Sequence, residues 1–123
     1  MAFYAEIYGF IAVRRGADFD RNKIAEVATS NPVFTNCFSA AVPGKTHDFI
    51  SFACNAKLNA NETELWIGPF ENLLKQIEFI TATVNVEHEA VDEILAYTYA
   101  RTPKLQRIRQ RLLPEFADEC RLD

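Results

Sequence analysis

The chain has 123 residues, a formal net charge of −4, 49% apolar residues and 24% charged residues. Chains of this length normally form one compact domain, and this composition excludes disordered, collagen-like and other low-complexity proteins. A net acidic chain is also unlike a nucleic-acid-binding protein whose whole surface is basic. We therefore expect a single domain over residues 1–123.

Three features of the sequence predict a reducing, cytoplasmic setting. No run approaches the roughly 18–20 apolar residues that a membrane span requires, and Met1–Glu6 lacks the basic-then-apolar pattern of a signal peptide. The three cysteines are odd in number and lack the close spacing of metal or redox motifs. We expect Cys37 and Cys54 to be small core residues and Cys120 to be a free surface thiol.

The first half of the chain predicts a strand, a helix and a hairpin. Alternating apolar residues over 3–14 predict the strand, in which Gly9 marks a bulge or a close backbone approach. Helical spacing predicts a helix over about residues 18–30. Two Phe-rich runs, Val33–Val42 and Asp48–Ala56, flank a Pro-Gly turn and are expected to pair as an antiparallel hairpin.

The second half predicts a short strand at Thr63–Ile67, a helix opened by Gly68–Pro69, and a strand at Phe79–Glu87. Residues 94–100 fit a strand or a helix equally well. An amphipathic helix is expected over about residues 103–113, after an α+β core of about residues 1–100. The side chains expected to point from the second helix into the core are Phe70, Leu73, Leu74 and Ile77.

This order of elements predicts an α+β fold with an antiparallel sheet and helices on one face. The plan that fits best is a ferredoxin-like split βαβ arrangement with extra strands and a C-terminal helix. Such sheets often leave an edge or a face uncovered, so homodimerisation is compatible with the sequence.

The net charge hides two opposite blocks. The segment from residue 62 to residue 93 sums to −7, and the segment from residue 101 to residue 111 sums to +5. The acidic candidates for contact with a basic protein partner are Glu62, Glu64, Glu71, Glu87, Glu89, Asp92 and Glu93. An acidic surface of this kind speeds association and selects a partner, although it can also simply keep a protein soluble.

The basic block is the candidate for contact with nucleic acid or an acidic partner. On a helical wheel Lys104, Arg107 and Arg111 share one face, next to a stripe that would dock on the sheet, and Arg101 precedes them. The alternative is a solvated face that lies against the acidic segment. Five basic residues alone give weak, salt-sensitive binding to nucleic acid.

No motif indicates catalysis, a metal or a cofactor. A metal site needs three or four converging ligands, and Glu87 and Glu89 point to the side of a strand opposite His88. There is no nucleophile-elbow sequence and no Gly-rich phosphate loop. We therefore predict no enzymatic activity; a small enzyme or ligand-binding domain with His47 or His88 near a pocket is the third alternative.

Two stretches resemble small bacterial immunity proteins and phage-encoded inhibitors. One is the opening strand Ile7–Arg14, and the other is Glu64–Leu74 with the strand that follows it. No functional residue is carried over from that resemblance. Together with the charge layout, it implies a non-enzymatic protein that inhibits or neutralises a macromolecular partner through an acidic surface, with binding of nucleic acid through the basic segment as the alternative.

Overall fold

The computed structural model describes residues 4–34, 36–88, 94–101 and 105–112. In chain order its helices and strands are β1 (Tyr4–Arg14), α1 (Asp18–Ser30), β2 (Val42–Pro43), β3 (His47–Lys57), α2 (Glu64–Leu74), β4 (Phe79–His88), β5 (Ile94–Arg101) and β6 (Leu105–Leu112). The strands form one antiparallel sheet in the order β2-β3-β1-β4-β5-β6. The α+β class and the antiparallel sheet are confirmed, whereas the ferredoxin-like plan with extra strands is not.

One face of the sheet carries the hydrophobic core. Alternate side chains of β1, β3, β4 and β5 are buried there, as the pleat of a strand requires. They form one cluster with Ile24 of α1 and with the apolar stripe of α2, so both helices pack on this face. The stripe comprises Trp66, Ile67, Phe70, Leu73 and Leu74.

The other face of the sheet, which we call the open face, has a different surface. The buried apolar side chains of α1 and α2 all join the core cluster, so neither helix covers the open face in the described part of the chain. On β1 it presents Tyr4 and Glu6, which are exposed, and Tyr8 and Phe10, which are half-buried. Aromatic rings and carboxylates on β1 are therefore partly accessible to a partner.

Gly9 fixes how closely β1 and β4 approach. A Cβ atom at this position would lie 1.9 Å from the backbone oxygen of Thr83. The predicted close approach is thus present, while the irregularity in the β1–β4 register lies further along, between Ala12 and Val13. Only glycine allows this spacing of the two strands.

The expected strand at Thr63–Ile67 is wrong, because these residues lead into and form part of α2. Trp66 and Ile67 continue the buried stripe of the helix, and burial of that stripe outweighs their strand propensity. Pro69 lies inside α2 rather than at its start. It withholds a donor from the carbonyl of Leu65, a residue that is 60% exposed, so water can reach that part of the helix.

The expected strand over Val33–Val42 is also wrong, apart from its last residue. The chain forms a 3₁₀ turn at Pro32–Phe34, makes one bridge from Phe38 to Phe52, and enters the sheet only at β2. The rings of Phe34 and Phe38 pack edge-on, 5.5 Å apart. Aromatic packing on the core side therefore replaces a continuous ladder in this segment.

The C-terminal helix expected over about residues 103–113 is wrong: β6 occupies Leu105–Leu112, and residues 103, 104 and 113 lie outside the described residues. β6 pairs with β5 from Arg101↔Leu105 to Ile94↔Leu112 without a break. The apolar residues of β6 follow a helical spacing. This spacing hid the period of two that strand pairing requires. Residues 94–100, which fitted either element, belong to the strand β5.

Candidate binding surfaces

Two residues of the acidic segment, Glu64 and Glu71, meet the basic segment where α2 packs on the sheet. Arg107 Nη1 lies 2.9 Å from Glu71 Oε2 and 3.2 Å from Glu64 Oε1. The Tyr99 hydroxyl donates to the same Glu71 oxygen at 2.8 Å, and the Arg107 guanidinium lies over the Tyr97 ring, 5.7 Å from its centroid. We call Glu64 and Glu71 the bridged acidic pair, because one arginine ties both to β6.

The pKa values of Arg107 and Tyr99, which both contact this pair, lie above their ordinary values. Burial opposes the charge of Arg107, but Glu71 and then Glu64 outweigh it, so the pKa of Arg107 lies above its ordinary value. Burial raises the pKa of the Tyr99 hydroxyl, and its hydrogen bond to Glu71 raises it further. The bridged acidic pair therefore has its cation within the same chain, at the packing of α2 on the sheet.

Of the other acidic candidates in this segment, one has a structural role and three lie outside the described residues. Glu62 Oε1 accepts a hydrogen bond from the backbone N–H of Asn59 at 2.9 Å, and the Asn59 side chain caps the same turn in return. Glu89, Asp92 and Glu93 lie outside the described residues.

Glu87 differs from these residues because it lies on the open face. It stands directly opposite Glu6 in the β1–β4 pairing. Within the described residues neither carboxylate has a cation at ion-pair distance. Two like charges facing each other across a strand pair destabilise it by up to about 1 kcal/mol. We call Glu6 and Glu87 the open acidic pair.

Tyr8 supports one member of the open acidic pair. Its hydroxyl donates to Glu87 Oε2 at 2.7 Å. Burial, the hydrogen bond to Glu87 and the charges of Glu87 and Glu6 together raise the pKa of Tyr8 to about 12. Because the phenol holds its proton well above neutral pH, it acts as a fixed donor that orients Glu87.

The open acidic pair stands at the mouth of a cavity of about 530 Å³. The residues that line this cavity are Tyr4, Glu6, Asn55, Glu87 and His88. The Lys57 ammonium lies over the Tyr4 ring, 5.8 Å from its centroid, so a cation of the same chain contacts this ring. The cavity thus combines two carboxylates, an amide and an aromatic face.

The two histidines do not form one site. His88 is buried at the end of β4, where its Nε2 lies 2.8 Å from Thr63 Oγ1, and it lines the cavity from the core side. His47 opens β3 and pairs with Arg14, at the opposite end of β1 from Ala5, which pairs with His88. No three His, Cys, Asp or Glu side chains in the described ranges are grouped to hold a metal ion.

The basic candidates are rearranged by the change from helix to strand. Arg107, Arg109 and Arg111, which we call the arginine row, face Tyr99, Tyr97 and Leu95 of β5 and so share the helix-side face. Arg101 uses its guanidinium internally, donating from Nη1 to the Ile77 carbonyl at 2.8 Å. Lys104 lies outside the described residues, so the predicted face formed by Lys104, Arg107 and Arg111 is replaced by the arginine row.

Sequence reasoning left three of these residues out of the candidate sites: Glu6, Tyr8 and Arg109. The signal for Glu6 and Tyr8 was present, because the alternation of β1 predicts both on the same face. Arg109 was excluded by the helical wheel and would have been included by a period of two. Of the cysteines, Cys37 is buried and Cys54 half-buried, as core residues would be, while Cys120 lies outside the described residues.

Comparisons with known proteins assign no family. Protein-family models, curated proteins and solved structures give no match to this chain. Among the described helices, none is long and apolar enough to cross a membrane. The features that bear on function are therefore the two acidic pairs, the cavity and the arginine row.

Proposed function

We propose that this protein is a non-enzymatic binding protein of the immunity or phage-inhibitor type, which neutralises a macromolecular partner by engaging one of its basic side chains. The binding element is the open acidic pair, Glu6 and Glu87. The observation that carries the proposal is that these carboxylates face each other across β1 and β4 with no cation at ion-pair distance in the described residues.

The destabilising effect of the two facing carboxylates supports the proposal. Facing carboxylates weaken the strand pair, and a lysine at either position would turn repulsion into attraction. Local arrangements that work against stability are expected where a protein binds or reacts. A guanidinium or ammonium group from a partner would relieve the repulsion, so the free energy lost in folding is recovered on binding.

The surroundings of the pair favour a protein partner over a small inorganic cation. Tyr8 holds Glu87 in place from one side, so the carboxylate is oriented before a partner arrives. The cavity of about 530 Å³ is large enough for a whole side chain. Exposed apolar residues elsewhere on the open face, such as Phe49 and Ile108, would extend the contact with a partner beyond the open acidic pair.

A capture experiment with matched variants tests this function. The intact chain is immobilised, exposed to extract of its native host, and the retained proteins are identified by mass spectrometry beside the double variant E6Q/E87Q. We expect one basic protein to be retained by the wild type and lost with E6Q/E87Q. The control is E26Q/E78Q, which removes the same charge at two other exposed positions. Retention by E6Q/E87Q equal to that of the control contradicts the proposal.

A second function, binding of nucleic acid, is favoured by one observation. The arginine row sets three guanidinium groups on one face of β6, and Arg109 and Arg111 are both exposed. Such a row would bind phosphate groups with steep salt dependence. Electrophoretic mobility shifts of DNA and RNA at low salt test it, with R109Q/R111Q as the variant that should lose any shift. The absence of a shift for the wild type at low salt removes this function.

We include a cytoplasmic location of the protein in the same proposal. A cytoplasmic location is consistent with the thiols of Cys37 and Cys54, which are free in the structure. Fractionation of the native host, followed by detection of the chain in the soluble fraction, tests this point.

A further inference from the structure

The outer edge of β6 carries no further strand among the described residues. β6 is the last strand in the sheet order and pairs only with β5 among the described residues. It runs for 8 residues without proline, glycine or a break in register. An edge of this kind presents a row of backbone N–H and C=O groups that another extended segment can bond.

The opposite edge of the sheet is protected by contrast. β2 is only 2 residues long, and Pro43, which has no N–H to donate, makes up half of it. Short edge strands and proline are the usual means by which proteins prevent pairing at an edge. β6 is neither short nor interrupted by proline. Its arginines are therefore the side chains that determine which segment can pair with it.

We propose that the outer edge of β6 accepts an extended acidic segment of a protein partner as a further strand of the sheet. The arginine row places a cation at every second residue, and a neighbouring strand repeats its own side chains with the same period, roughly 6.6 Å. Glutamates or aspartates at alternate positions of that segment would therefore lie on the same face as Arg109 and Arg111, while the backbone supplies the affinity. This surface is separate from the open acidic pair and goes beyond the function proposed above.

A second copy of this chain fits the edge poorly. If two β6 strands paired antiparallel with their faces aligned, any register covering most of the strand would set an arginine opposite an arginine; for example, Arg107 would face Arg109 of the other copy. Like charges directly opposite destabilise a strand pair. The arginine row thus disfavours this alignment of two copies, whereas an oppositely charged strand meets no such repulsion.

An acidic peptide also fits better than nucleic acid. Arg107 is already engaged by Glu64 and Glu71, so the row does not offer three adjacent cations to a phosphate chain. A peptide strand, unlike a nucleic acid, can use both the alternate arginines and the open backbone groups of β6.

The test uses the full-length chain and a capped peptide in which glutamate alternates with threonine over the length of β6. Binding is followed by ¹⁵N–¹H shift changes and by hydrogen exchange of the β6 amides. We expect saturable shifts centred on Leu105–Leu112, slower exchange at those amides, and at least tenfold weaker binding by the variant R109Q/R111Q. Both arginines are exposed, and a urea midpoint equal to that of the wild type is required to show that the variant keeps its fold.

Two control peptides separate strand addition from simple charge attraction. One has the same composition with its glutamates in a single block, and the other carries methyl groups on alternate backbone nitrogens. We expect both to bind at least tenfold more weakly than the alternating peptide. Equal binding of either control, no binding of the alternating peptide, tighter binding of an oligonucleotide, or a dimer that forms through β6 without peptide each overturns the proposal.

Discussion

The two acidic pairs use the same chemistry in opposite ways. In each pair one glutamate accepts a hydrogen bond from a tyrosine hydroxyl: Glu71 from Tyr99, and Glu87 from Tyr8. The difference is Arg107, which lies within ion-pair distance of both bridged carboxylates, while no described cation lies that close to the open ones.

A neighbouring arginine distinguishes carboxylates that stabilise the fold from carboxylates that remain available to a partner's cation. A carboxylate beside a fixed arginine is already satisfied, and moving that arginine to a partner would cost the fold its packing. Carboxylates that face each other without a cation gain from any partner that brings one. The acidic segment that sums to −7 in the sequence therefore divides between Glu64 and Glu71, which pair with Arg107, and Glu87, which faces Glu6.

The largest effect should come from Gly9→Ala, which breaks the support of the open acidic pair. The new Cβ would clash with the Thr83 backbone oxygen, so β1 and β4 must move apart. We expect a loss of about 3 kcal/mol in the free energy of unfolding, measured by urea denaturation. The control is Gly68→Ala in α2, whose Cβ meets nothing within 4 Å and which should not destabilise the protein. Equal stability of the two variants would show that the close approach is absent.

A smaller effect is expected from Arg107→Met, which removes the cation of the bridged acidic pair. Glu71 and Glu64 lose their partner and Tyr97 loses its cation–π contact. Because the Arg107 side chain is 38% exposed, we expect a loss of only about 1 kcal/mol. Arg109→Met, on the same face of the same strand, serves as the control and should change the free energy of unfolding less. The reverse order of the two would contradict the bridging role.

The pH dependence of stability should report on the open acidic pair. The pKa of Tyr8 is about 12 in the fold, above the unfolded value of roughly 10. A group whose pKa is raised by folding stabilises the protein fully below pH 10, and this contribution is lost as the pH rises to about 12. We therefore expect the wild type to lose stability over this interval more steeply than Tyr8→Phe, in thermal melts at each pH. Parallel curves would mean that Tyr8 ionises freely.

The smallest effect, and the one of opposite sign, should come from removing one open carboxylate. Glu6→Gln relieves the repulsion across β1 and β4, so we expect the free energy of unfolding to rise by about 0.3 kcal/mol. Glu71→Gln, the same change in the bridged pair, should lower it, because Arg107 and Tyr99 lose their charged acceptor. Both are measured by denaturation at neutral pH and low salt. A loss of stability in both variants would erase the distinction between the pairs.

Strands and helices with strong periodicity could be predicted from the sequence, and those where two periods compete could not. β1, α1 and β4 follow directly from alternation or helical spacing. β6 could not be predicted in this way, because Leu105, Ile108 and Leu112 satisfy helical spacing while the pairing with β5 imposes a period of two. Tertiary pairing decided between two patterns that the segment carries at once.

The sequence predicts only part of the candidate site, for a related reason. The sequence identifies the acidic block but contains no information on which glutamates meet Arg107, since Glu71 and Arg107 are joined only by the packing of α2 on the sheet. Glu6 lies far outside the block and becomes part of the site through its register with Glu87. Opposition across strands, rather than proximity in sequence, defines the open acidic pair.

The most direct test of the central claim is a ¹⁵N–¹H shift titration of the intact protein with a short capped peptide containing a single arginine, at low salt. We expect saturable shifts centred on Glu6, Tyr8 and Glu87, lost in E6Q/E87Q and kept in E26Q/E78Q. Shifts centred on the bridged acidic pair, or shifts that persist unchanged in E6Q/E87Q, would contradict the assignment of the open acidic pair as the binding element.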